Sequence, residues 1–266
     1  MKTFVVGDVH GRREQLKKLL EMLPRDEAND SLIFLGDYID RGTDAPGVVS
    51  DVVELQREQP ERVICLRGNH EQMLLDFLDD GAPLWLSPVT GGHRTYEQYT
   101  GASFSLSRAD DLLEAQRKIE ESLPAEHLSF FRTLPYYHED DYALYVHAGL
   151  DGAKHPRETE QHSLLWSRDM EFFKNYRGKP CLFGHTPTAF LPLRGRVGRH
   201  GIYIFHNAIG LDTGYNYRSP LSCLELPEFN LYQTFADGHQ AKHHIKAFIS
   251  EPLSAMRKSA SSKTVN

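Results

Sequence analysis

Residues 5–11 read VVGDVHG. An apolar run stops at a glycine. An aspartate and a histidine follow, one residue apart, and a second glycine closes the stretch. The run has the pattern of a buried strand, and the polar residues stand where that strand ends. Alone the stretch decides little, because aspartate favours turns in any protein. Its meaning depends on whether other strand ends deliver matching groups.

Four others do. LIFLGDYIDRG (32–42) delivers Asp37, then Asp40 and Arg41. RVICLRGNHE (62–71) delivers Asn69, His70 and Glu71, YALYVHAGL (142–150) delivers His147, and PCLFGHT (180–186) delivers His185. Glycines flank most of these residues, permitting sharp turns and close backbone approach. In α/β folds the carboxyl ends of strands line one crevice, which is where ligands bind. Any one of these residues could be an ordinary loop residue. Delivery of the whole set by five strand ends is improbable by chance, so the set is read as one site.

The pooled side chains Asp8, His10, Asp37, Asn69, His147 and His185 mix carboxylate, amide oxygen and imidazole. That mixture suits divalent transition metals such as manganese, iron or zinc. No cysteine joins, which excludes a thiolate zinc site. Six ligands are too many for one catalytic ion that keeps a position open. Two ions sharing a carboxylate fit better, and such a pair activates water for in-line attack on phosphorus.

The elements between the motifs define an α/β fold. TFVV (3–6), SLIFLG (31–36) and RVICLRG (62–68) read as strands. REQLKKLLEML (13–23), APGVVSDVVELQRE (45–58) and EQMLLDFLDD (71–80) read as helices. The alternation predicts parallel strands covered by helices. Strand signals fade over 81–134. There PLWLSPVTGGHRTYEQYTG (83–101) reads as loop, while RADDLLEAQRKIEESL (108–123) and PAEHLSFFRTL (124–134) read as helices, a helical and loop insertion beside the sheet. YALYVHAGL, PCLFGHT, GIYIFHNAI (201–209), SCLELPE (222–228) and NLYQTFA (230–236) predict a mostly antiparallel second sheet. Two facing sheets with helices outside is the economical architecture. One domain over 1–249 and a disordered tail over 250–266 complete the expectation.

Composition limits the partners. The chain has 266 residues, 40% hydrophobic and 25% charged, with a formal net charge of −7. Duplex nucleic acid and anionic membranes reward a basic surface, so neither is expected as a partner. No stretch approaches the roughly 20 apolar residues of a membrane span. The N-terminus lacks the long apolar run of a signal peptide. Cys65, Cys181 and Cys223 show no zinc or redox spacing, and two of them lie in apolar runs. Buried reduced thiols and a cytoplasmic location are the expectation. No hydrophobic stripe argues for an oligomer. The cluster GHQAKHH (238–244), with His239, His243 and His244, reads as a solvated face.

GDVHG, GDYIDRG, RGNHE, HAGL and GHT, in that order, resemble the phosphoprotein phosphatase branch of the metallophosphoesterases. The resemblance runs from residue 7 to LDTG at 211–214, and RGNHEQM with the short C-terminal half looks closer to bacterial and phage members than to eukaryotic ones. It implies a calcineurin-like sandwich of two mixed sheets flanked by helices. It implies that Asp8, His10 and Asp37 hold one ion, and that Asp37 bridges to a second held by Asn69, His147 and His185. His70 would protonate the leaving alkoxide, oriented by Asp40. Arg41 would grip the phosphate, and Arg168 in LLWSRD (164–169) matches the second phosphate arginine. Manganese is the metal that the ligand types and the resemblance suggest. Glu71 reads as a helix N-terminal acid rather than a ligand.

Two substrate classes compete on this scaffold. One is phosphoserine and phosphothreonine in proteins or peptides, with phosphotyrosine a possible extension. The other is a dinucleoside polyphosphate such as diadenosine tetraphosphate. Relatives of the second type tend to carry alanine at the position of Asp40 and aspartate at that of Glu71. Both departures favour the phosphomonoester. A catalytically silent docking module is a third reading, ranked low because no ligand is lost. Arg94 or its neighbours in TGGHRTYEQY (90–99) are expected to touch substrate beyond the phosphate.

Overall fold

The computed structural model describes residues 1–105, 110–152, 154–197, 201–214 and 218–245. The segment expected as a disordered tail, 250–266, lies outside them. The first part runs β1 (Thr3–Val6), α1 (Arg13–Met22), β2 (Ser31–Phe34), α2 (Ala45–Glu58), β3 (Val63–Cys65) and α3 (Asn69–Asp80). The three strands pair in parallel, as the alternation predicts. The helices begin and end for local reasons. Asp44 caps α2 by accepting from the Gly47 N–H at 2.9 Å. Gly81, in the left-handed region at φ 69°, closes α3.

A 3-10 turn at Pro83–Leu86, α4 (Gly92–Thr100), α5 (Asp110–Ser122) and α6 (Ala125–Thr133) follow. Residues 92–100, read as loop, are therefore helical. The second part contains β4 (Tyr137–Glu139), β5 (Leu144–Val146), α7 (Gln161–Trp166), α8 (Met170–Asn175), β6 (Cys181–Phe183), β7 (Tyr203–Phe205), β8 (Ala208–Gly210), β9 (Leu221–Leu226), β10 (Asn230–Thr234) and β11 (Gln240–His244).

The first sheet has the order β11-β10-β9-β1-β2-β3 and the second β4-β5-β6-β8-β7. This corrects the expected antiparallel second sheet. Its centre, β5-β6-β8, is parallel, and only β4 and β7 pair antiparallel at its edges. The antiparallel strands β9, β10 and β11 extend the first sheet instead. GIYIFHNAI is two strands, β7 and β8, that pair antiparallel across a turn with His206 at φ 52°. The reason is physical: central strands buried on both faces read as short apolar runs whatever their direction.

Period-two alternation sorts each strand between two cores. Phe4, Val6, Leu32 and Phe34 face α1, α2 and α3, whereas Val5, Ile33 and Leu35 face the second sheet. On the second sheet Tyr145, Leu182 and Ile209 answer them, while Leu144, Val146 and Phe183 pack against Phe172 and Phe173 of α8. The result is helix, sheet, sheet, helix. The three cysteines are buried and unpaired, and burial raises each thiol's pKa. His239 and His244 are exposed and His243 half-buried, on or beside edge strand β11.

Glu225 in β9 is buried and accepts from Lys2 Nζ at 2.8 Å, Tyr232 OH at 2.7 Å and Asn230 Nδ2 at 2.8 Å. Burial alone would raise its carboxyl, but these three donors hold it below the ordinary value of 4.5. A group depressed on folding stabilises above its unfolded value, and that contribution is lost as pH falls through the folded value. Glu225→Gln should therefore cost about 1–3 kcal/mol at neutral pH. The gap in melting temperature between wild type and variant should close on acidification below pH 4.5.

Candidate active site

The turns after β1, β2, β3, β5 and β6 meet where the two sheets' parallel strands end. Backbone bonds lock them together. The Val9 and His10 N–H groups donate to Asp37 O at 3.0 and 2.8 Å, and Gly184 N donates to His147 O at 2.7 Å. Across the sheets, His185 N donates to Asp8 Oδ2 at 2.9 Å. The packing leaves no room for side chains at two glycines. A Cβ on Gly68 would lie 2.1 Å from Asp37 Oδ1, and one on Gly184 2.1 Å from Asp8 Oδ1.

All ten residues singled out in the sequence converge here. Asp8, His10, Asp37, Asp40, Asn69, His70, His147 and His185 are buried, while Arg41 and Arg168 stand exposed at the rim. His10, Asp37, Asp40, Arg41 and His185 have φ of 47°, 54°, 71°, 64° and 60°. Such left-handed backbone costs about 1–3 kcal/mol per residue and clusters where function demands it.

The donor chemistry fits a divalent cation on both sides of Asp37. His10 Nδ1 lies 2.9 Å from Ile39 O and His147 Nδ1 2.8 Å from Leu35 O. Each neutral ring donates there, which leaves Nε2 bare. Those lone pairs face Asp37, His10 Nε2 at 3.5 Å from Oδ2 and His147 Nε2 at 3.4 Å from Oδ1. Two acceptors meet with no hydrogen between them, a geometry that a cation turns into ligation. His10, Asp37 and His70 form one group of ligand-type atoms within 4.8 Å, and Asp37, His147 and His185 another. Asn69 Oδ1 joins the second, 2.9 Å from His147 Nε2 and 2.7 Å from His185 Nδ1. Asp8 Oδ1 is buried without a hydrogen-bond partner.

Charge follows from the surroundings. Burial alone would raise Asp37, but the imidazoles of His147, His70, His10 and His185 hold it well below the usual carboxylate range. Burial lowers His10, His147 and His185. His70 is the exception. Burial acts to lower it, yet Asp37 and the hydrogen bond to Asp40 outweigh burial and raise it. Its Nδ1 lies 2.6 Å from Asp40 Oδ2, and its Nε2 accepts from Arg41 Nη2 at 3.1 Å. Arg41 Nη1 reaches His10 Nε2 at 2.9 Å, and Arg168 Nε reaches His185 Nε2 at 3.3 Å.

Other residues of the site are not legible as such in the sequence. Arg12 donates to Asp8 O at 2.6 Å and Val9 O at 2.9 Å, bracing the first loop. Asp212, in LDTG, is buried with Oδ2 unpartnered, and burial raises it against the Gly214 N–H and the nearby Arg12 and Arg41. Glu71 stands in the first turn of α3, as expected, but it also spans two motifs. Its carboxylate accepts from the N–H groups of Gly68, Asp37, Tyr38 and Ile39 at 3.0, 2.9, 2.8 and 3.3 Å. Burial and Asp37 push it up to about 8 against those donors. Arg94 is exposed beside the site, and its Nη1 donates to Arg41 O at 3.0 Å.

Buried imidazoles around an ionised carboxylate, with arginines at the rim, define a metal-dependent phosphoester hydrolase. A family model for the calcineurin-like phosphoesterases matches residues 1–205, and this chain belongs to that family. Serine/threonine-protein phosphatase 1 of Salmonella typhimurium is 30% identical over 217 residues, 79% of this chain and 85% of that protein. The symmetrical bis(5'-nucleosyl)-tetraphosphatase of Legionella pneumophila is 35% identical over 83 residues, 31% of this chain and 29% of that protein. A crystal structure assigned to a diadenosine tetraphosphatase shares the fold at TM-score 0.59 and 20% identity, covering 91% of this chain and 92% of that one. The cold-active protein-tyrosine phosphatase of a Shewanella species does so at TM-score 0.55 and 19% identity, covering 91% and 80%. Among the described residues no helix is long and apolar enough to cross a membrane.

Glu71→Gln turns an amide N–H₂ toward backbone donors, and Glu71→Asp falls one methylene short. Both should cost about 1–3 kcal/mol of stability for the unmade bonds, read as a lower melting temperature. Both should also weaken divalent-metal affinity measured by calorimetry, because Asp37 loses its backbone support.

Proposed function

We propose that this chain is a metal-dependent phosphomonoesterase acting on phosphoserine and phosphothreonine in proteins. The observation that carries the reading is the buried His70–Asp40 pair at 2.6 Å. A serine or threonine alkoxide is a strongly basic leaving group and needs a proton as the P–O bond breaks. A nucleotide phosphate leaves readily without one. The relative matching most of the chain is named as a serine/threonine phosphatase, which supports the same choice.

Asp8, His10 and Asp37 would hold one divalent ion, and Asp37, Asn69, His147 and His185 a second, manganese being the first to test. When bound, such ions polarise phosphoryl oxygens and acidify water. Arg41 and Arg168 would bind the phosphate through their planar forks. In this structure Arg41 donates to His70 Nε2. Turning that guanidinium to the phosphate frees Nε2 to carry the proton given to the leaving oxygen. Asp40 holds the opposite nitrogen and stabilises the imidazolium before transfer.

Hydrolysis of dinucleoside polyphosphates is the second reading, favoured by the local match to the Legionella enzyme. The deciding assay takes metal-depleted protein, restores manganese, and compares a phosphothreonine peptide with diadenosine tetraphosphate. Faster metal-dependent phosphate release from the peptide is the expected result, and preferred cleavage of the dinucleotide would overturn it. His70→Asn should lower kcat on the peptide by about 10²–10⁴-fold, the usual reach of general acid catalysis.

A further inference from the structure

We infer that helix α4 and Trp85, both outside the five motifs, position the acid pair, with Thr95 as the central residue. The inference rests on the phosphomonoesterase reading and deepens it. Thr95 is fully buried, and its hydroxyl acts on Asp40 twice. It accepts the Asp40 backbone N–H at 2.9 Å and donates to Asp40 Oδ1 at 2.8 Å. The hydroxyl's single proton is used in that bond. Trp85 Nε1 donates to the same Oδ1 at 3.1 Å. With Oδ1 held by two donors, Oδ2 is aimed at His70 Nδ1, 2.6 Å away.

The same helix face holds the rest of the loop. Arg94 Nη1 donates to Arg41 O at 3.0 Å, Gln98 Nε2 donates to Gly42 O at 2.9 Å, and Gln98 Oε1 accepts the Ala45 N–H at 2.7 Å. Positions 94, 95 and 98 share one side of a helix. They fasten a loop whose residues Asp40 and Arg41 sit in left-handed backbone, a conformation that persists only when the surroundings enforce it. Gly91 lets the helix start come this close, since a Cβ there would lie 2.9 Å from Arg41 N. Thr95, Trp85, Arg94 and Gln98 are thus positioning residues, acting through Asp40 and Arg41.

A brace on the acid has a signature that a general packing role lacks: its loss hurts poor leaving groups most. The test compares manganese-loaded wild type, Thr95→Val, Thr95→Ser and Trp85→Phe on a phosphothreonine peptide and on 4-nitrophenyl phosphate, whose leaving group needs no proton. Thr95→Val should lower kcat on the peptide about tenfold more than on the aryl ester, a fraction of what the acid supplies. Thr95→Ser should restore the ratio, and Trp85→Phe should shift it the same way as Thr95→Val. A substrate-free readout accompanies it: the downfield NMR line of the His70 Nδ1 proton in magnesium-loaded protein, assigned by its loss in His70→Asn. That line should move in Thr95→Val and return in Thr95→Ser. Equal losses on both esters, or an unmoved line, would overturn the inference. If the wild type cleaved diadenosine tetraphosphate and neither monoester, the substrate reading would fail, and the NMR line alone would decide the brace.

Discussion

Everything at the site is arranged around one ionised carboxylate kept away from water. Asp37 is 1% exposed, and burial alone would neutralise it. Its two oxygens face opposite groups of imidazoles, His147 on one side and His10 on the other. Its backbone N–H is held by Glu71, its carbonyl receives two N–H groups from the first loop, and its side chain accepts from His70 N. Loops from separate strands are thus tied through a single residue. Shifting it disturbs the imidazoles on both sides at once.

The strain follows from that convergence. Short strands end abruptly, and their loops must turn inward within one or two residues. Five of the site residues adopt left-handed φ to do so. Aspartate and histidine tolerate that region better than most residues, whereas Arg41 there is held by its hydrogen bonds. Burial of lone pairs and left-handed backbone are both unfavourable in the bare protein. Both are arrangements that a bound cation and an anionic substrate reward.

The acid pair shows how chemistry recruits structure from outside the motifs. His70 and Asp40 come from two motif loops, yet Asp40 is oriented by a tryptophan and a threonine from the 83–100 stretch. A stretch outside the motifs can therefore decide the geometry of the His70–Asp40 pair. The rim arginines complete the pattern, with buried imidazoles and carboxylates inside and exposed cations at the mouth, where they would attract an anion.

The α/β class, the three parallel strands and five of the helices were readable from local pattern. The convergence of the strand-end polar residues was readable too, because most of them stand close to a glycine after an apolar run. Strand direction in the second sheet was not, since short buried strands carry no mark of orientation. The roles of Glu71, Arg12, Asp212, Trp85 and Thr95 were not either. Each looks like an ordinary cap, surface or core residue until folding brings its partner from up to roughly 200 positions away, as for Arg12 and the Pro220 carbonyl. Residue identities and their places along the chain determined which chemistry was possible. Only the tertiary structure decided which groups lie within hydrogen-bond reach, because those distances belong to packing between segments rather than to any one of them.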